Sequence, residues 1–470
     1  MSMVVQHNMQ AANANRMLGI TSGAQAKSTE KLSSGYKINR AADGAAGLTI
    51  SEKMRKQIRG LDKASSNAQD GVSSVQTAEG ALTEVHSMLQ RMNELAVQSA
   101  NGTNSSDDRQ AIQDEVDQLT TEIDRVAETT KFNEIYLLKG DNSNTKNVYM
   151  KGHDAGLKGT LTDGAKSATF TMDALQAGDK YTIAGKEYTI GSATTEVTAL
   201  IDKANTDATA DTANKTVDVN GKTYTITYNA AGNTIADADG TAITLDNLKK
   251  AVTGGSKVTY GNTSLTAMTD ADTDGVDDDD SSIITKDVAE TKIKAELLTA
   301  NNIGTVDQAA TVEDANTANG KTSYTINKGY ATVADTLSFN LHVGADADMT
   351  NKITVDIDTM NSANLGIKGI NVKDASGTEA TYAIDAIADA VAKVSSQRSA
   401  LGAVQNRLEH TIDNLDNISE NTSSAESRIR DTDMAKEMVN YSKNNILAQA
   451  GQSMLAQANQ SNQGVLSLLQ

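Results

Sequence analysis

The feature that most constrains this chain is a long uncharged seam near its start. Apolar or small residues recur there at alternating spacings of three and four, and none of the positions carries a charge. A spacing of this kind, sustained over about five heptads, predicts a coiled-coil helix rather than an amphipathic helix of a globular domain. Such a helix would be roughly 58 Å long. Its seam consists of Leu61, Ala64, Ala68, Gly71, Val75, Ala78, Leu82, Val85, Leu89, Met92, Ala96 and Ser99.

Two further seams predict packing partners for this helix. One follows a loop at 101–107 and consists of Ile112, Val116, Leu119, Ile123 and Val126. The other lies near the end of the chain and consists of Ile384, Ile387, Val391, Val394, Arg398, Leu401, Gln405, Leu408, Ile412 and Leu415. Because three long segments with matching seams can form one antiparallel bundle, we expect residues near the start to pack against residues near the end. The middle of the chain is then an insertion.

The composition of the middle supports this division. Arginine is absent between Arg125 and Arg398, and the intervening segment is rich in Thr, Asp, Gly, Ala and Asn. Residues 179–191 and 215–229 alternate with period two around a turn, and Asn220-Gly221 is a hairpin signal of type I′. Residues 319–330 repeat this pattern, and the short amphipathic stretches 197–204 and 243–252 follow the first two hairpins. The predicted fold class is mainly α, with long terminal helices paired as a coiled coil and antiparallel bundle, and an inserted β-rich (α+β) outer domain.

Composition also narrows the function. The net charge of −19 argues against nucleic acid and membrane as partners, since both attract clustered positive charge. No run of 18 apolar residues predicts a transmembrane helix, and the N-terminus lacks the basic and apolar regions of a secretory signal. We therefore expect a cytoplasmic protein, or one that leaves the cell without such a signal. The absence of proline suits long uninterrupted helices.

The sequence offers little chemistry. The histidines are scattered without ligand spacing and no nucleophile or phosphate-loop motif occurs, so we expect neither an enzyme nor a cofactor. One weak metal candidate is the acidic stretch 270–281, where Asp270, Asp272 and Asp274 match the first ligands of a calcium loop. Its last position is Ser281 instead of the expected Glu, which favours a solvated acidic loop.

The extreme ends carry thinner stripes. From Leu447 onward the seam includes Gly451, Met454, Ala458 and Ser461, and residues 4–38 show a looser apolar stripe. Helices of this kind are marginal alone in water. We expect both termini to be largely disordered in a free monomer and to fold when they associate.

Three stretches together resemble a known family. They are "EKLSSGYKINRAADGAAGLTISEKMRKQIRGLDKASSNAQDG" (30–71), "SVQTAEGALTEVHSMLQRMNELAVQSANGTNSSDDRQAIQDEVDQLTTEIDRV" (74–126) and the whole of 401–470, beginning "LGAVQNRLEHTIDNLDNISENTSSAESRIRDTDMAKEMVNYSKNN". All three closely resemble bacterial flagellin, the filament protein of the flagellum, and "LHVGADADMTNKITVDIDTM" (341–360) resembles the segment that leads back into its helical core.

The resemblance implies a domain plan and a function. Residues 1–42 and 431–470 would form the inner helices of the filament core, and 43–150 the N-terminal part of an outer helical bundle. Residues 151–335 would be a variable, surface-exposed β-rich region, and 336–430 a hairpin and helix returning to the bundle. The protein would be exported unfolded through the flagellar type III apparatus and would polymerise outside the cell into a helical filament. The alternative is a hook–filament junction protein, which shares the terminal-helix plan.

The resemblance also implies partners. Besides other copies of itself and the filament cap and junction proteins, an export chaperone would hold the C-terminal helix. The apolar residues expected to make filament and chaperone contacts are Leu447, Met454, Leu455, Val465, Leu466, Leu468 and Leu469.

Flagellins are further recognised by a Toll-like receptor of animal innate immunity. Carried over by the motif "LQRMNELAVQ", Arg91 would be the main anchor, with Leu95, Gln98 and Glu115 nearby. Leu95 lies off the 3,4 seam and is therefore expected on the exposed surface. The alternative is that Arg91 serves subunit packing alone.

Overall fold

The structure is a computed structural model that describes residues 8–270, 274–304 and 307–467, with side-chain surroundings described as far as residue 461. The chain divides into two compact units. Unit 1 comprises Met1–Val75, Phe339–Val355 and Gly402–Gln470, and unit 2 comprises Gln76–Ser338 and Asp356–Leu401.

Long helices dominate both ends of the chain. In the described residues the α-helices are α1 (Met9–Ser34), α2 (Ala45–Ser99), α3 (Ser106–Thr129), α4 (Thr194–Ala210), α5 (Leu245–Lys250), α6 (Lys286–Asn301), α7 (Ser362–Leu365), α8 (Thr378–Arg430) and α9 (Met434–Ser467). Short 3-10 turns occur at Ala41–Asp43 and Met349–Asn351.

The strands lie between α3 and α7. They are β1 (Lys131–Phe132), β2 (Ile135–Tyr136), β3 (Asp141–Tyr149), β4 (Thr160–Asp163), β5 (Ser167–Asp173), β6 (Lys180–Ile183), β7 (Lys186–Ile190), β8 (Lys215–Val219), β9 (Lys222–Thr227), β10 (Thr234–Asp237), β11 (Ala242–Ile243), β12 (Lys257–Tyr260), β13 (Thr263–Thr266), β14 (Ile283–Ile284), β15 (Thr311–Val312), β16 (Asn316–Ala318), β17 (Lys321–Asn327), β18 (Tyr330–Asp335), β19 (Leu337–His342) and β20 (Lys352–Ile357).

In unit 1, α1 and α9 pair along their lengths. The side chain of Asn8 caps α1 and also donates to the carbonyl of Ala458 at 3.2 Å. Where α9 carries Gly451, an added Cβ would lie 3.4 Å from Leu18 Cδ1, so the two helices are close there. The pair buries little, because Ser28 is the one buried residue of α1 and no described side chain of α9 is buried. Whether these helices are ordered in a free monomer stays a prediction.

Unit 1 also contains an antiparallel helix pair. Ser65 of α2 donates to Asp416 of α8 at 3.0 Å, and Ser419 of α8 donates to Asp62 of α2 at 2.8 Å. The later residue of α8 thus contacts the earlier residue of α2, as in an antiparallel pair. The hairpin at 339–355 packs on these helices through a core of Ala68, Val343, Ile353 and Leu408. A Cβ added at Gly71 would lie 2.2 Å from Leu341 Cδ1, so the missing side chain at residue 71 makes room for the hairpin.

The seam predicted for α2 is buried at every one of its positions. Leu82, Val85, Leu89 and Met92 are fully buried in unit 2. Ion pairs join this part of α2 to α3 (Arg91–Glu115) and to α8 (Glu79–Arg398). The prediction of long helices with an inserted strand-rich region is therefore confirmed.

A return segment between α7 and α8 is fastened to unit 2 by buried polar side chains. The side chain of Gln113 donates to the carbonyl of Ile370 at 2.9 Å and accepts from the amide of Val372 at 2.7 Å. The hydroxyl of Ser99 donates to the carbonyl of Val372. Gln113 is only 7% exposed, and its bonds to Ile370 and Val372 satisfy buried backbone groups that water cannot reach.

One core of the strand-rich part of unit 2 lies around α6. Sheets of order β15-β17-β5-β4 and β14-β7-β6 share this core with α6, and its largest fully buried side chains are Phe170 and Tyr324. The hairpin predicted at 179–191 is β6–β7, and its turn residues Ala184 and Gly185 both have positive φ, as a type I′ turn requires.

A second core is formed by a module that is inserted in the sequence between β7 and β14; we call it the nested module. The sheet of order β11-β10-β9-β8-β12-β13 is covered by α4 and α5. The chain ends of this module meet, because Ser192 and Ala267 form a parallel bridge and the amide of Met268 donates to the carbonyl of Ser192 at 3.0 Å. Strand β14 then pairs parallel with β7, so the chain rejoins the sheet that it left.

The predicted hairpin-plus-helix unit is present, with one difference. The hairpin at 215–229 is β8–β9 with Asn220 and Gly221 at positive φ. Helix α4, however, contacts β8, β9 and β12 rather than the β6–β7 hairpin that precedes it. The helix packs on the sheet that follows it in the sequence, and its apolar face, which includes Val197 and Ile201, is buried in the nested core.

Removal of the nested module is expected to leave the rest of the protein folded. With 193–267 deleted and Ser192 joined to Met268 by a short glycine linker, the core around α6 keeps all its strands. Thermal unfolding followed by circular dichroism checks this, and the isolated 193–267 fragment is expected to fold alone. A control deletion of 215–250 removes four of the six strands of the nested sheet, together with α5, and should aggregate. Loss of folding in both deletions would contradict the nested topology.

Replacing Gln113 by alanine is expected to destabilise unit 2 by about 1–3 kcal/mol, because it leaves the buried carbonyl of Ile370 and amide of Val372 unpaired. Chemical denaturation measures the change. Gln110→Ala is the matched control, since Gln110 is exposed on the same helix and donates a hydrogen bond to Asp114, one turn further along α3. Equal effects of the two substitutions would show that the buried bonds contribute nothing.

Candidate functional site

Arg91 lies on the exposed side of α2 and is held by two carboxylates. Its Nε donates to Glu115 Oε1 at 2.8 Å and its Nη1 to Glu94 Oε2 at 3.1 Å. These hydrogen bonds raise the pKa of Arg91, and the bond that it donates to Glu115 has the larger effect. The side chain is 49% exposed. The structure thus brings together Arg91 and Glu115, two of the predicted recognition residues, across α2 and α3.

The start of α3 is set by a capping box, and this determines where Glu115 lies. Ser105 Oγ accepts from the amide of Asp108 at 3.1 Å, and Asp108 Oδ2 accepts from the amide of Ser105 at 3.1 Å. Hydrogen bonds from the hydroxyl and then the amide of Ser105 lower the pKa of Asp108. The "S-x-x-D" spacing after the Gly/Asn loop is a sequence signal for this helix start.

Leu95 is not on this exposed surface. The expectation that it lies off the packed seam is wrong, because its side chain is only 2% exposed. A bundle helix buries a wider stripe than the two positions per heptad of a coiled-coil seam, and residue 95 belongs to that stripe with Ala96. Gln98 is exposed. Val97, next to Gln98, is 53% exposed. Its position off the seam is a sequence signal that could have identified it as an exposed apolar residue.

A second candidate surface runs along α9. Leu447 and Met454 are 47% and 62% exposed, and Leu455 is half-buried. The side chains of Val465 and Leu466, and the whole of Leu468 and Leu469, lie outside the described residues.

Sequence reasoning missed the first half of this surface on α9. Met438, Val439 and Ile446 are the most exposed apolar side chains there, at 58%, 68% and 66% exposure. Together with Leu447 they line one groove. We call these four residues and Met454 the α9 apolar row. The seam predicted from the sequence begins at Leu447, although apolar residues already recur at helical spacing between 438 and 446.

The acidic stretch 270–281 uses its described carboxylates within the loop. Asp270 Oδ2 accepts from the amide of Gly275 at 3.1 Å, and Asp277 accepts from the amides of Thr269, Asp279 and Asp280 at 2.8–3.0 Å. Asp272 lies outside the described residues. In the described part of the chain, no group of three or more His or acidic side chains could hold a metal ion. The calcium-loop candidate stays a prediction.

Among the described residues, no helix combines the length and the apolar character needed to cross a bilayer.

Comparison with known proteins places the helical ends in one family. Residues 5–143 match the model of the bacterial flagellin N-terminal helical region, and residues 384–469 match that of the C-terminal helical region. A flagellin of Clostridium tyrobutyricum is 40% identical over 98% of this chain and 100% of its own length. Flagellin B of Vibrio anguillarum and a flagellin of Salmonella rubislaw are each 35% identical, with full coverage of both chains.

The two family models match the same long helices that form α1–α3 and α8–α9. The identity of 40% extends over nearly the whole length of a relative that is itself a flagellin. The chain therefore belongs to the bacterial flagellin family, whose members are structural subunits of the flagellar filament and not enzymes.

Proposed function

We propose that this filament subunit is exported through the flagellar type III apparatus and polymerises by burying α1 and α9 against neighbouring subunits. The observation that carries the proposal is the α9 apolar row, which unit 1 leaves exposed. Four of its five side chains line one groove, and an exposed apolar patch of this kind marks an interaction surface. Each side chain of this size contributes about 1.5–3 kcal/mol when it is fully buried.

The small burial within the α1–α9 pair points the same way. Most of the stability of a helix in a protein comes from packing. Because only one residue of α1 is buried, the α1–α9 contact contributes little to the stability of either helix. Neighbouring copies would provide that packing. Repetition of one such heterologous contact gives an open helical polymer.

We assign the domains accordingly. Residues 1–42 and 431–470 form the filament core, and 43–150 with 336–430 form the surrounding bundle. Residues 151–335 form the outward, surface-exposed region. Before export, a chaperone would cover the α9 apolar row, and in the filament the cap and junction proteins would contact the same helices.

Ile446→Glu is expected to abolish polymerisation without unfolding the subunit. The substitution places a charge at a position that is 66% exposed in the subunit and would be desolvated in the polymer. Electron microscopy of the purified protein measures filament length, and circular dichroism measures the thermal unfolding of the subunit.

The control is Ala199→Glu, which adds the same charge on the exposed side of α4 and should leave filaments unchanged. Normal filaments from Ile446→Glu would contradict the role of α9. Micrometre-long filaments from the unaltered protein also separate a flagellin from a hook–filament junction protein, which would stop at short assemblies.

We further propose that the Arg91 surface is recognised by the innate immune Toll-like receptor of an animal host. Support comes from the exposure of Arg91, Glu115 and Gln98, with Val97 adding an apolar contact beside them. An arginine already positioned by two carboxylates loses less side-chain entropy when a partner binds. Leu95 would act only by supporting α2 from inside the bundle.

Arg91→Ala is expected to reduce receptor signalling at least about tenfold, the loss typical of an arginine hot spot. The measurement is the half-maximal monomer concentration in receptor-expressing reporter cells, with filament length recorded in parallel. The fold should not change, since exposed ion pairs contribute little to stability.

Arg125→Ala is the matched control. Arg125 is also exposed, and it is paired with Glu122 on α3 as Arg91 is paired with Glu94 on α2. Equal signalling by the two variants would refute receptor recognition at Arg91. Lost filaments with normal signalling would assign Arg91 to subunit packing alone.

A further inference from the structure

A cavity of about 290 Å³ lies in unit 2 where the strand-rich region meets α8. Its walls come from four segments that are distant in the sequence, namely the residues after β3, the end of α6, the end of α7 and one side of α8. Apolar side chains, among them Met150, Ile303 and Leu365, line much of it. Junctions between substructures are frequent positions for small-molecule sites, although those of drug-sized ligands are usually about 300–1,000 Å³. The cavity therefore suits a molecule smaller than a drug.

Asp389 places a partly exposed carboxylate at this cavity. Its Oδ1 accepts from Lys151 Nζ at 3.0 Å. Its Oδ2 is buried and accepts no hydrogen bond from any described residue. His153 Nε2 is 3.5 Å from that oxygen, which is an ion-pair distance at most. Because Oδ2 is shielded, a molecule in the cavity would reach the carboxylate through Oδ1, which can accept a second hydrogen bond beside that from Lys151.

Lys393 places an incompletely used donor one helical turn further along α8. Its ammonium donates one hydrogen bond within the described residues, to the carbonyl of Asn364 at 2.7 Å, although it has three N–H groups. Burial lowers the pKa of Lys393, and the nearby carboxylates of Asp389 and Asp358 oppose this effect. A bound anion would satisfy the remaining donors and favour the charged form.

The opposite wall is rigidly held. The amide of His153 donates to Asn301 Oδ1 at 2.9 Å, and Asn301 Nδ2 donates back to the carbonyl of His153 at 2.8 Å. The cavity is thus bounded by fixed backbone on one side and by a long helix on the other. A site formed in advance in this way loses little free energy to ordering when a ligand binds.

We infer that this cavity binds a free α-amino acid with an apolar side chain of about the size of leucine. The ammonium group of the ligand would donate to Asp389 Oδ1 and its carboxylate would accept from Lys393. Its side chain would lie against Met150, Ile303 and Leu365. One zwitterion supplies the donor, the acceptor and the apolar body that the three parts of the cavity require. This site is independent of the α9 apolar row and of the Arg91 surface.

The test is calorimetric titration of the purified full-length protein with L-leucine. Three analogues each remove one recognised group, namely 3-methylbutylamine without the carboxylate, 4-methylpentanoate without the ammonium, and glycine without the side chain. Leucine is expected to bind saturably and each analogue at least about tenfold more weakly, because each leaves a charged or apolar partner unused. Absence of saturation by about 10 mM leucine would overturn the inference, and so would equal binding of any analogue.

Asp389→Asn and Lys393→Met are expected to weaken leucine binding at least about tenfold. Asp385→Asn is the control, because Asp385 is exposed one turn before Asp389 and does not line the cavity. Thermal unfolding of each variant shows whether it is folded, and Asp389→Asn preserves the side-chain shape if Lys393→Met does not fold. Leucine binding that is unchanged in folded Asp389→Asn would place the ligand elsewhere and refute the site.

Discussion

The uncharged seam of α2 is the interaction on which the rest of the structure depends. Its positions are buried from Leu61 to Ser99, and both compact units include part of α2 and part of α8. Because residues near the start of the chain pack against residues near its end, everything between them has to leave the helices and return. The strand-rich region, the nested module and the return segment before α8 are consequences of that one pairing.

Buried apolar area holds the helices together, but polar contacts decide the details that matter for function. Gln113 fastens the return segment through Ile370 and Val372. The capping box at Ser105 and Asp108 sets the start of α3 and so places Glu115 opposite Arg91. Hydrogen bonds are directional and fix register, whereas apolar contacts of similar size tolerate sliding.

Much of the fold and part of the candidate surfaces could be predicted from periodicity and turn chemistry. The seam of α2, the type I′ turn at Asn220-Gly221 and the pairing of chain ends all follow from local patterns. Leu95 was expected to be exposed because the 3,4 spacing of the seam does not show how many neighbouring helices cover α2. The exchange of α4 onto the next sheet was equally hidden, since an apolar helix face does not specify which sheet will cover it.

The sequence by itself determined which segments are helices and strands, where the chain turns, and that its two ends associate, because these properties depend on residues a few positions apart. Only the tertiary structure decided which apolar residues stay exposed on α9, which carboxylates hold Arg91, and that Lys151, His153, Asp389 and Lys393 surround one cavity. Burial and the surroundings of a charge are set by groups that are distant in the chain, and no local pattern contains them.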